Sequence, residues 1–166
     1  MALHVVFMGV SGTGKSAVGR PVSDRLGLDF AEGDDFHPRA NIEKMSSGTP
    51  LTDDDRWPWL RELADWTARR AAAGQGTGVT CSALRRAYRD VLREGAPDTV
   101  FVHLVGTAEL ITERMNAREH FMPSSLLESQ FATLEDLDPD ERGLVVDIDS
   151  PLDDLVADVV GRLREQ

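Results

Sequence analysis

The residues with the clearest chemical signature are Gly9–Ser16, which read GVSGTGKS. They match G-x-x-x-x-G-K-[ST], the pattern of a loop that surrounds the phosphates of a bound nucleotide. The glycines let the backbone turn tightly, so that its N–H groups point at phosphate oxygens. Lys15 would then reach the β- and γ-phosphates, and the Ser16 hydroxyl would bind Mg²⁺. The predicted nucleotide ligands are Gly9, Ser11, Gly12, Thr13, Gly14, Lys15 and Ser16.

Two carboxylates, Glu32 and Asp34, supply a second kind of chemistry at the end of a predicted strand. The next predicted strand ends in VTCSAL and carries no carboxylate, so Glu32 and Asp34 are the candidates to support the metal. We expect Glu32 to do so through a water molecule. Asp34 lies just past its strand, where open α/β sheets place their ligands. We expect Asp34 to act as the base or the orienting acceptor for an attacking hydroxyl.

Two other interpretations of the glycine-rich loop fit less well. A GTPase should carry an N-K-x-D motif on a late strand, whereas the stretch Asn41–Lys44 reads NIEK and lies in the wrong place. A glycine-rich turn without a ligand does not require a preceding strand and a following helix, and this loop is predicted to have both. Nucleotide binding is therefore the expectation.

Alternating short apolar segments and longer amphipathic stretches predict the elements that position these residues. This alternation is typical of an α/β domain. The predicted strands are Leu3–Met8, Leu28–Ala31, Gly78–Cys81, Val100–Val105 and Leu144–Ile148. Several are apolar at consecutive positions, as expected for parallel strands that are covered on both faces. Helices should fill the gaps, one beginning near Thr52 and the last capped by Ser150, with Pro151 in its first position.

Two features that could be mistaken for reactive sites are interpreted as structural. The carboxylates Asp53, Asp54 and Asp55 fall in the first turn of the helix that begins near Thr52, where acidic side chains cap the helix more often than they bind a metal. Cys81 is the only cysteine. We expect it to pack in the interior, because no general base is evident nearby.

Composition limits the classes of partner. The chain has 166 residues, and 18 Lys and Arg against 29 Asp and Glu give a formal net charge of −11. An acidic balance argues against a sequence-independent nucleic-acid or anionic-membrane binder, since both need a basic surface. No apolar run approaches the roughly 18 residues that a membrane span requires. We therefore expect a soluble cytoplasmic protein with neither a nucleic-acid nor a membrane partner.

The acidity is unevenly distributed. Residues 135–166 hold 11 acidic residues and 3 arginines, so most of the net charge lies at this end of the chain. We expect these acids to form a solvated surface. Five cations in residues 1–134, where acidic and basic residues nearly balance, are expected to form a local positive site. They are Lys15, Lys44, Arg56, Arg89 and Arg118.

Three long segments carry a family resemblance. They read EGDDFHPRANIEKMSSGTPLTDDDRWPWL, CSALRRAYRDVLREG and VVDIDSPL, and they closely resemble the gluconokinase family, small P-loop kinases similar to shikimate kinase. With the phosphate loop, the resemblance spans nearly the whole chain. One departure is Glu32-Gly33-Asp34, where the family usually has D-G-D.

The resemblance implies a fold, an activity and partners. The fold would be a three-layer P-loop kinase of the α/β class, with a five-stranded parallel sheet flanked by helices. It would form one domain over residues 1–166, with a small lid at about residues 114–130. The activity would be ATP-dependent phosphorylation of D-gluconate on its 6-hydroxyl, with Mg²⁺, feeding the pentose phosphate or Entner–Doudoroff route. The family also implies a homodimer.

Gluconate is an anionic, polyhydroxylated chain, so its site needs a cation for the carboxylate and several hydrogen-bonding groups. The residues expected to contact it are Asp34, His37, Lys44, Arg56, Ser82, Arg86 and Arg89. We expect Arg56 to face the carboxylate, and Arg89 to reach gluconate in preference to Arg86. Without the resemblance, the face that carries His37 and Lys44 would be interpreted as a solvated helix face.

Two further arginines are expected to close over the nucleotide. Arg114 and Arg118 are four residues apart at the end of a predicted helix, and the resemblance implies that they belong to the lid. Pro151 would lie beside the adenine. The residues expected to carry the chemistry are then Lys15, Asp34 and Arg118. Two alternatives stay open, a kinase for another sugar acid or polyol and a nucleotide-binding module that lacks catalysis.

Overall fold

The computed structural model describes residues 2–116 and 124–166. Helices and strands alternate along the chain as the sequence pattern predicts. The elements in chain order are β1 His4–Met8, α1 Lys15–Leu26, β2 Asp29–Glu32, a short 3-10 helix Gly33–Phe36, α2 Arg39–Ser46, α3 Asp53–Ala72, β3 Thr77–Thr80, α4 Arg86–Gly95, β4 Val100–Val105, α5 Ala108–Asn116, α6 Ser124–Thr133, β5 Gly143–Asp147 and α7 Leu152–Arg164.

The five strands form one parallel sheet in the order β2-β3-β1-β4-β5. The predicted α/β class and five-stranded parallel sheet are confirmed. All five strand predictions are correct to within one residue at each end; β4 matches fully, and β2 extends to include Glu32. Because parallel strands end at one edge of the sheet, the phosphate loop after β1 lies beside the residues that follow β2 and β3.

Two pairs of helices cover the sheet. Helix α1 packs against α7, and α3 packs against α4. The central strand β1 is buried along its whole length, which explains its run of consecutive apolar residues. Burying both faces of the sheet yields one continuous core, and it includes Phe7, Leu60 and Phe101.

The N-terminal cap that was predicted for α3 is confirmed, and the one that was predicted for α7 is wrong by one residue. Thr52 caps α3, since its hydroxyl accepts a hydrogen bond from the Asp55 backbone while the Asp55 carboxylate accepts one from the Thr52 backbone. The first turn of α3 therefore has the predicted capping role. Helix α7 begins at Leu152 with Pro151 at the cap position, so the prediction of Ser150 as the cap was one residue too early.

Helix α4 is fastened to the connection between α6 and β5 by ion pairs. We call this set the arginine staple; it consists of Arg86, Arg89, Arg93, Asp138, Asp140 and Glu141. At its centre, the Arg89 and Glu141 side chains are both fully buried, with Arg89 Nε 2.8 Å from Glu141 Oε1. The acids after residue 135 are thus not only a solvated surface, and that prediction was wrong for Glu141.

The lone cysteine and the helices have the expected environments. Cys81 is buried in the core, and its burial raises the pKa of the thiol to about 12. It is therefore a packing residue rather than a nucleophile. Among the helices of the described residues, none has the length and hydropathy that crossing a bilayer would require.

Candidate active site

The phosphate loop connects β1 to α1. Gly14 caps α1 with a φ of 87°, a left-handed conformation that favours glycine. Lys15 donates hydrogen bonds from Nζ to the carbonyls of Gly9 and Val10, both at 3.1 Å. Its pKa is lowered because burial disfavours the charged form, and Asp34 opposes this shift. The loop therefore holds the lysine folded over its own backbone, close to where phosphate would bind.

Glu32 is fixed at the end of β2 by two hydroxyl groups. Ser16 Oγ donates to Glu32 Oε2 at 2.7 Å, and Thr80 Oγ1 donates to the same oxygen at 2.8 Å. The Thr80 hydroxyl also accepts a hydrogen bond from the Gly33 backbone at 3.1 Å. A Cβ atom at residue 33 would lie 1.9 Å from the Thr80 carbonyl oxygen, so only glycine permits this approach of the two strands.

The oxygen atoms at this point suit Mg²⁺. Within residues 2–116 and 124–166, no three His, Cys, Asp or Glu side chains come together as a metal-binding group. Mg²⁺ usually takes one or two protein ligands and completes its shell with phosphate oxygens and water. The Ser16 hydroxyl, with the Glu32 carboxylate beside it, fits that pattern.

A cleft opens beside the phosphate loop. We call it the Asp34 cleft. Its polar walls bring together six of the predicted site residues, which are Ser11, Lys15, Asp34, His37, Arg56 and Ser82. Its apolar walls include Met45, Leu51, Trp59 and Leu126. A small polar molecule in this cleft would lie next to both the loop lysine and the Asp34 carboxylate.

His37 is a buried member of the Asp34 cleft with a defined protonation state. Its ring stacks on Trp59 with centroids 4.0 Å apart. The Asn41 amide nitrogen donates to the Asp55 carbonyl at 2.9 Å, and an amide nitrogen can only donate. His37 Nδ1, which lies 3.2 Å from the same nitrogen, must therefore accept a hydrogen bond from it. His37 Nε2 consequently carries the ring proton and lies 3.7 Å from the exposed Asp34 carboxylate. Burial is the main reason that the pKa of His37 is lowered to about 4.

Arg56 reaches the Asp34 cleft from the first turns of α3. Its guanidinium donates to the Tyr88 hydroxyl at 3.0 Å and lies 3.5 Å from Asp53. It also stacks over the Tyr88 ring at 5.1 Å. Only 14% of the Arg56 side chain is exposed, so the charge is presented in a defined direction. This is the geometry that recognition of a carboxylate requires.

Three residues that were predicted to contact the substrate do not line the Asp34 cleft; they are Lys44, Arg86 and Arg89. Lys44 pairs with Asp55 at 2.7 Å and ties α2 to the start of α3, and the cleft lining does not include it. Arg86 pairs with Asp138 and Asp140 on the surface, as part of the arginine staple. The prediction that these side chains bind the substrate is replaced by structural roles.

Arg89 is the clearest correction, because all of its donors are used inside the protein. It donates to both Glu141 oxygens and to three backbone carbonyls, those of Ala83, Glu135 and Asp136. The side chain is fully buried. It holds the residues next to Ser82 in place, but it does not extend into the Asp34 cleft.

A second cavity adjoins the other side of the phosphate loop. Its walls include Thr13, Gly14, Arg114, Ser150 and Leu152. Arg114 donates to the Ile148 carbonyl at 2.9 Å, which holds its guanidinium beside this cavity. Pro151 lies between two lining residues in the chain but is not itself part of the lining. The cavity is placed where the base and sugar of a nucleotide would follow the phosphates.

The predicted lid at about residues 114–130 falls only partly within the structure. Arg118 lies outside the described residues. Helix α6 follows, and it contacts the phosphate loop where the Ser11 backbone donates to the Gln130 side chain at 2.7 Å. The C-terminal part of the predicted lid region therefore forms a wall of the Asp34 cleft.

Sequence reasoning missed four side chains that build the site: Trp59, Thr80, Tyr88 and Gln130. Trp59 donates to the Gly33 carbonyl at 2.7 Å and supports the turn that bears Asp34. Trp59 and Tyr88 each carry a polar group that needs a partner when buried, and this is the signal that could have identified them. Thr80 had a signal too, since a hydroxyl at the end of a buried strand needs a hydrogen bond.

Comparisons with known proteins agree with this site. A sequence family described as "AAA domain" matches residues 5–137. The thermoresistant gluconokinase of Escherichia coli (strain K12) is 48% identical, covering 96% of this chain and 93% of that protein. A crystal structure of a gluconokinase from Sinorhizobium meliloti 1021 has a TM-score of 0.90 and 48% identity, covering 98% of this chain and 92% of that one.

A second solved structure is also similar over its full length. It is an unliganded sugar kinase from Janibacter sp. HTCC2649, with a TM-score of 0.96 and 56% identity, covering 99% of this chain and 95% of that one. Identity of about half extends over nearly the whole of each chain. The chain therefore belongs to the gluconokinase family.

Proposed function

We propose that this protein transfers the γ-phosphoryl group of ATP to the 6-hydroxyl of D-gluconate. The observation that carries the proposal is the Asp34 cleft, which joins the phosphate-loop lysine, a carboxylate base and an oriented arginine in one space. An anionic, polyhydroxylated substrate needs these groups. Membership of the gluconokinase family supports the same substrate.

Asp34 and Lys15 carry the chemistry in this proposal. Asp34 accepts the proton of the attacking hydroxyl, and phosphoryl transfer depends mainly on such positioning. The His37 Nε2–H group lies 3.7 Å from the Asp34 carboxylate, on the same side of the cleft. Lys15 turns from its backbone carbonyls to the β- and γ-phosphates and balances the charge that develops on them.

Substrate contacts are assigned to four side chains of the cleft. Arg56 binds the gluconate carboxylate, and Ser82, His37 and Asp34 contact its hydroxyls. On the nucleotide side, the loop from Gly9 to Ser16 surrounds the phosphates, with Arg114 beside the nucleotide. Arg118, which lies outside the described residues, is assigned to the transferring phosphoryl group on the family pattern alone.

Mg²⁺ is assigned to the Ser16 hydroxyl, with Glu32 as its supporting carboxylate. When bound, the ion would offset the negative charge of the phosphates. We also propose that the protein works in the cytoplasm as a homodimer, with one domain over residues 1–166. These statements extend from the family and from the acidic composition.

A coupled assay tests the function. Purified protein with ATP, Mg²⁺ and D-gluconate should yield 6-phosphogluconate, detected through its dehydrogenase. A panel of other aldonates and of polyols should give lower kcat/KM values than gluconate, which distinguishes this substrate from another sugar acid. Folded protein that binds ATP without forming 6-phosphogluconate would instead support a nucleotide-binding module that lacks catalysis.

A further inference from the structure

Tyr88 contacts two oppositely charged side chains, one of which, Arg56, lines the Asp34 cleft. It is 2% exposed, and its ring makes an edge contact with Trp57, with centroids 5.6 Å apart. Its hydroxyl donates a hydrogen bond to Asp53 and accepts one from Arg56 at 3.0 Å. Tyr88 belongs to helix α4, whereas the two charged residues belong to the first turn of α3.

The direction of these hydrogen bonds is fixed by the groups involved. A guanidinium can only donate and an ionised carboxylate can only accept, so the phenol must accept from Arg56 and donate to Asp53. Burial, together with the hydrogen bond to Asp53, raises the pKa of Tyr88 to about 12, so the phenol keeps its proton at neutral pH. Both hydrogen bonds of the Tyr88 hydroxyl therefore have a single possible direction.

The phenol oxygen bridges Arg56 Nη1 and Asp53 Oδ1, the two atoms of the Arg56–Asp53 ion pair. These two atoms are 3.5 Å apart, which is an ion pair but not a short hydrogen bond. The two residues are three positions apart on a helix, a spacing at which a direct fork-shaped pair can form. Such a pair would turn the Arg56 donors toward Asp53 and away from the cleft.

We infer that Tyr88 is a positioning residue that aims the Arg56 guanidinium into the Asp34 cleft and thereby makes the site select an anionic sugar acid over the neutral polyol with the same hydroxyls. The substrate in this inference rests on the proposed function. The positioning itself rests on the contacts among Tyr88, Asp53 and Arg56. Arg85, 3.5 Å from Asp53 on the exposed side, further balances the carboxylate and leaves the local charge positive.

The first test replaces Tyr88 with phenylalanine, which retains the ring and its contact with Trp57. In Tyr88→Phe, the KM for gluconate should rise about tenfold, the effect of losing one hydrogen bond to a charged group. The kcat value and the KM for ATP should change less than about twofold, since neither depends on Arg56. The preference for gluconate over D-glucitol, which has a CH₂OH group in place of the carboxylate, should fall by the same factor.

A rescue separates positioning from a merely structural role. Adding Asp53→Asn to Tyr88→Phe removes the charge that competes for Arg56, so much of the gluconate affinity should return. A structural defect would not be repaired in this way. A second variant, Asp53→Glu, brings a longer carboxylate closer to Arg56 and should raise the KM for gluconate. This substitution leaves the buried core untouched, so it provides the test if Tyr88→Phe does not fold.

Arg86→Gln is the matched control, because Arg86 lies on the same helix and pairs with Asp138 and Asp140 on the surface. Its gluconate KM should equal that of the wild type.

A crystal structure of Tyr88→Phe gives a readout that needs no turnover: Arg56 should close on Asp53 to hydrogen-bonding distance. Unchanged Arg56 and an unchanged KM in both Tyr88→Phe and Asp53→Glu would overturn the inference. A different outcome separates this inference from the proposed function. If the wild type does not phosphorylate gluconate but Arg56 still moves to hydrogen-bonding distance of Asp53 in Tyr88→Phe, the proposed substrate and the sugar-acid selectivity are wrong. The positioning role of Tyr88 is then retained.

Discussion

At the scale of single residues, supporting side chains determine what the reactive ones can do. The Asn41 amide fixes the tautomer of His37, and the Thr80 hydroxyl holds Glu32 beside Ser16. None of the supporting groups would change its covalent bonds during the proposed reaction. Their contribution is orientation, which phosphoryl transfer depends on more than on covalent participation by the protein.

Asp34→Asn should separate catalysis from nucleotide binding. The amide keeps the size and polarity of the side chain but cannot take a proton, so turnover should fall by roughly 10²–10⁴, the usual contribution of a general base. The Kd for ATP should be almost unchanged, because the phosphate loop is intact. Steady-state kinetics and calorimetric titration with ATP measure the two effects.

Asp35→Asn is the control for that variant, since its side chain is an exposed neighbour on the same turn. It should retain nearly full turnover. If Asp34→Asn were as active as Asp35→Asn, the assignment of Asp34 as the base would be wrong.

His37 should make stability depend on pH. Its pKa falls from an ordinary value of about 6.5 in the unfolded chain to about 4 in the fold, chiefly through burial. The unfolded state therefore binds more protons between these values, and the free energy of unfolding must decrease as the pH falls through this window. This one residue should contribute a loss of about 2 kcal/mol between pH 7.5 and pH 5.

Urea unfolding of the wild type and of His37→Gln at the two pH values isolates this contribution. His4 and His103 also have pKa values lowered by burial, so the wild type should lose further stability from them. The variant should keep the part due to these two residues and lack the part due to His37. Equal pH dependence in both proteins would contradict the neutral, buried state of His37.

At the scale of elements, the arginine staple links the loop after β3 to the segment that follows α6. Arg89 donates to the Ala83 carbonyl on one side and to the Glu135 and Asp136 carbonyls on the other. Burial alone would raise the pKa of Glu141, but hydrogen bonds from Arg89, the Asp138 backbone and Arg93 lower it to about 2. The pair therefore stays ionised, and it joins two walls of the Asp34 cleft.

Glu141→Leu should destabilise the protein strongly. It leaves the Arg89 guanidinium buried without its counter-ion, which typically costs about 3–5 kcal/mol. Asp140→Asn removes an exposed partner of Arg86 in the same staple and should cost much less, since solvent screens that pair. Chemical unfolding measures both, and comparable losses in the two variants would argue against a dominant role for the buried pair.

At the scale of the whole molecule, the distribution of charge differs from what the totals suggest. Of the five cations expected to form one positive site, Lys44 and Arg89 are neutralised by Asp55 and Glu141, and Arg118 is outside the described residues. Lys15 and Arg56 are the two that line the Asp34 cleft. Two cations in a confined space are enough to attract anionic substrates while the outer surface stays acidic.

Nucleotide binding should stabilise the entire fold. With ADP and Mg²⁺ at about 100 times the Kd, ligand binding adds about 2.7 kcal/mol to the free energy of unfolding. For a chain of this size, that corresponds to a rise in Tm of about 5–10 °C. Lys15→Met should fold normally and show a much smaller rise, because it lacks the phosphate contact. Thermal scans with and without ADP measure the difference, and an equal shift in the two proteins would contradict the assigned site.

The fold was largely predictable, because hydrophobic patterning and caps are local signals. Consecutive apolar residues in β1 and β4 predicted buried parallel strands, and the carboxylates after Thr52 predicted a helix start. The strand ends then brought the phosphate loop and Asp34 together. Local patterning could not show that Arg89 faces inward, since its partner Glu141 lies 52 residues away in the chain.

The site was only partly predictable for the same reason. The sequence identified cations by type, but whether a cation faces a cleft depends on which acid lies next to it in three dimensions. Lys44 and Arg86 were therefore assigned to the substrate, although Asp55, Asp138 and Asp140 neutralise them. Arg56 pairs with Asp53 only at 3.5 Å and shares the Tyr88 hydroxyl with it, a contact between two helices that no local pattern encodes.

The buried thiol of Cys81 has a practical consequence for measurement. Because it is the only cysteine and is both shielded and protonated, maleimide dyes should leave the native chain unmodified. Cysteines introduced at the exposed positions Glu128 on α6 and Asp54 on α3 would then be the two labelled sites. Energy transfer between a donor dye and an acceptor dye at these positions would report, in real time, the distance between the helices on either side of the cleft as substrates bind and products leave.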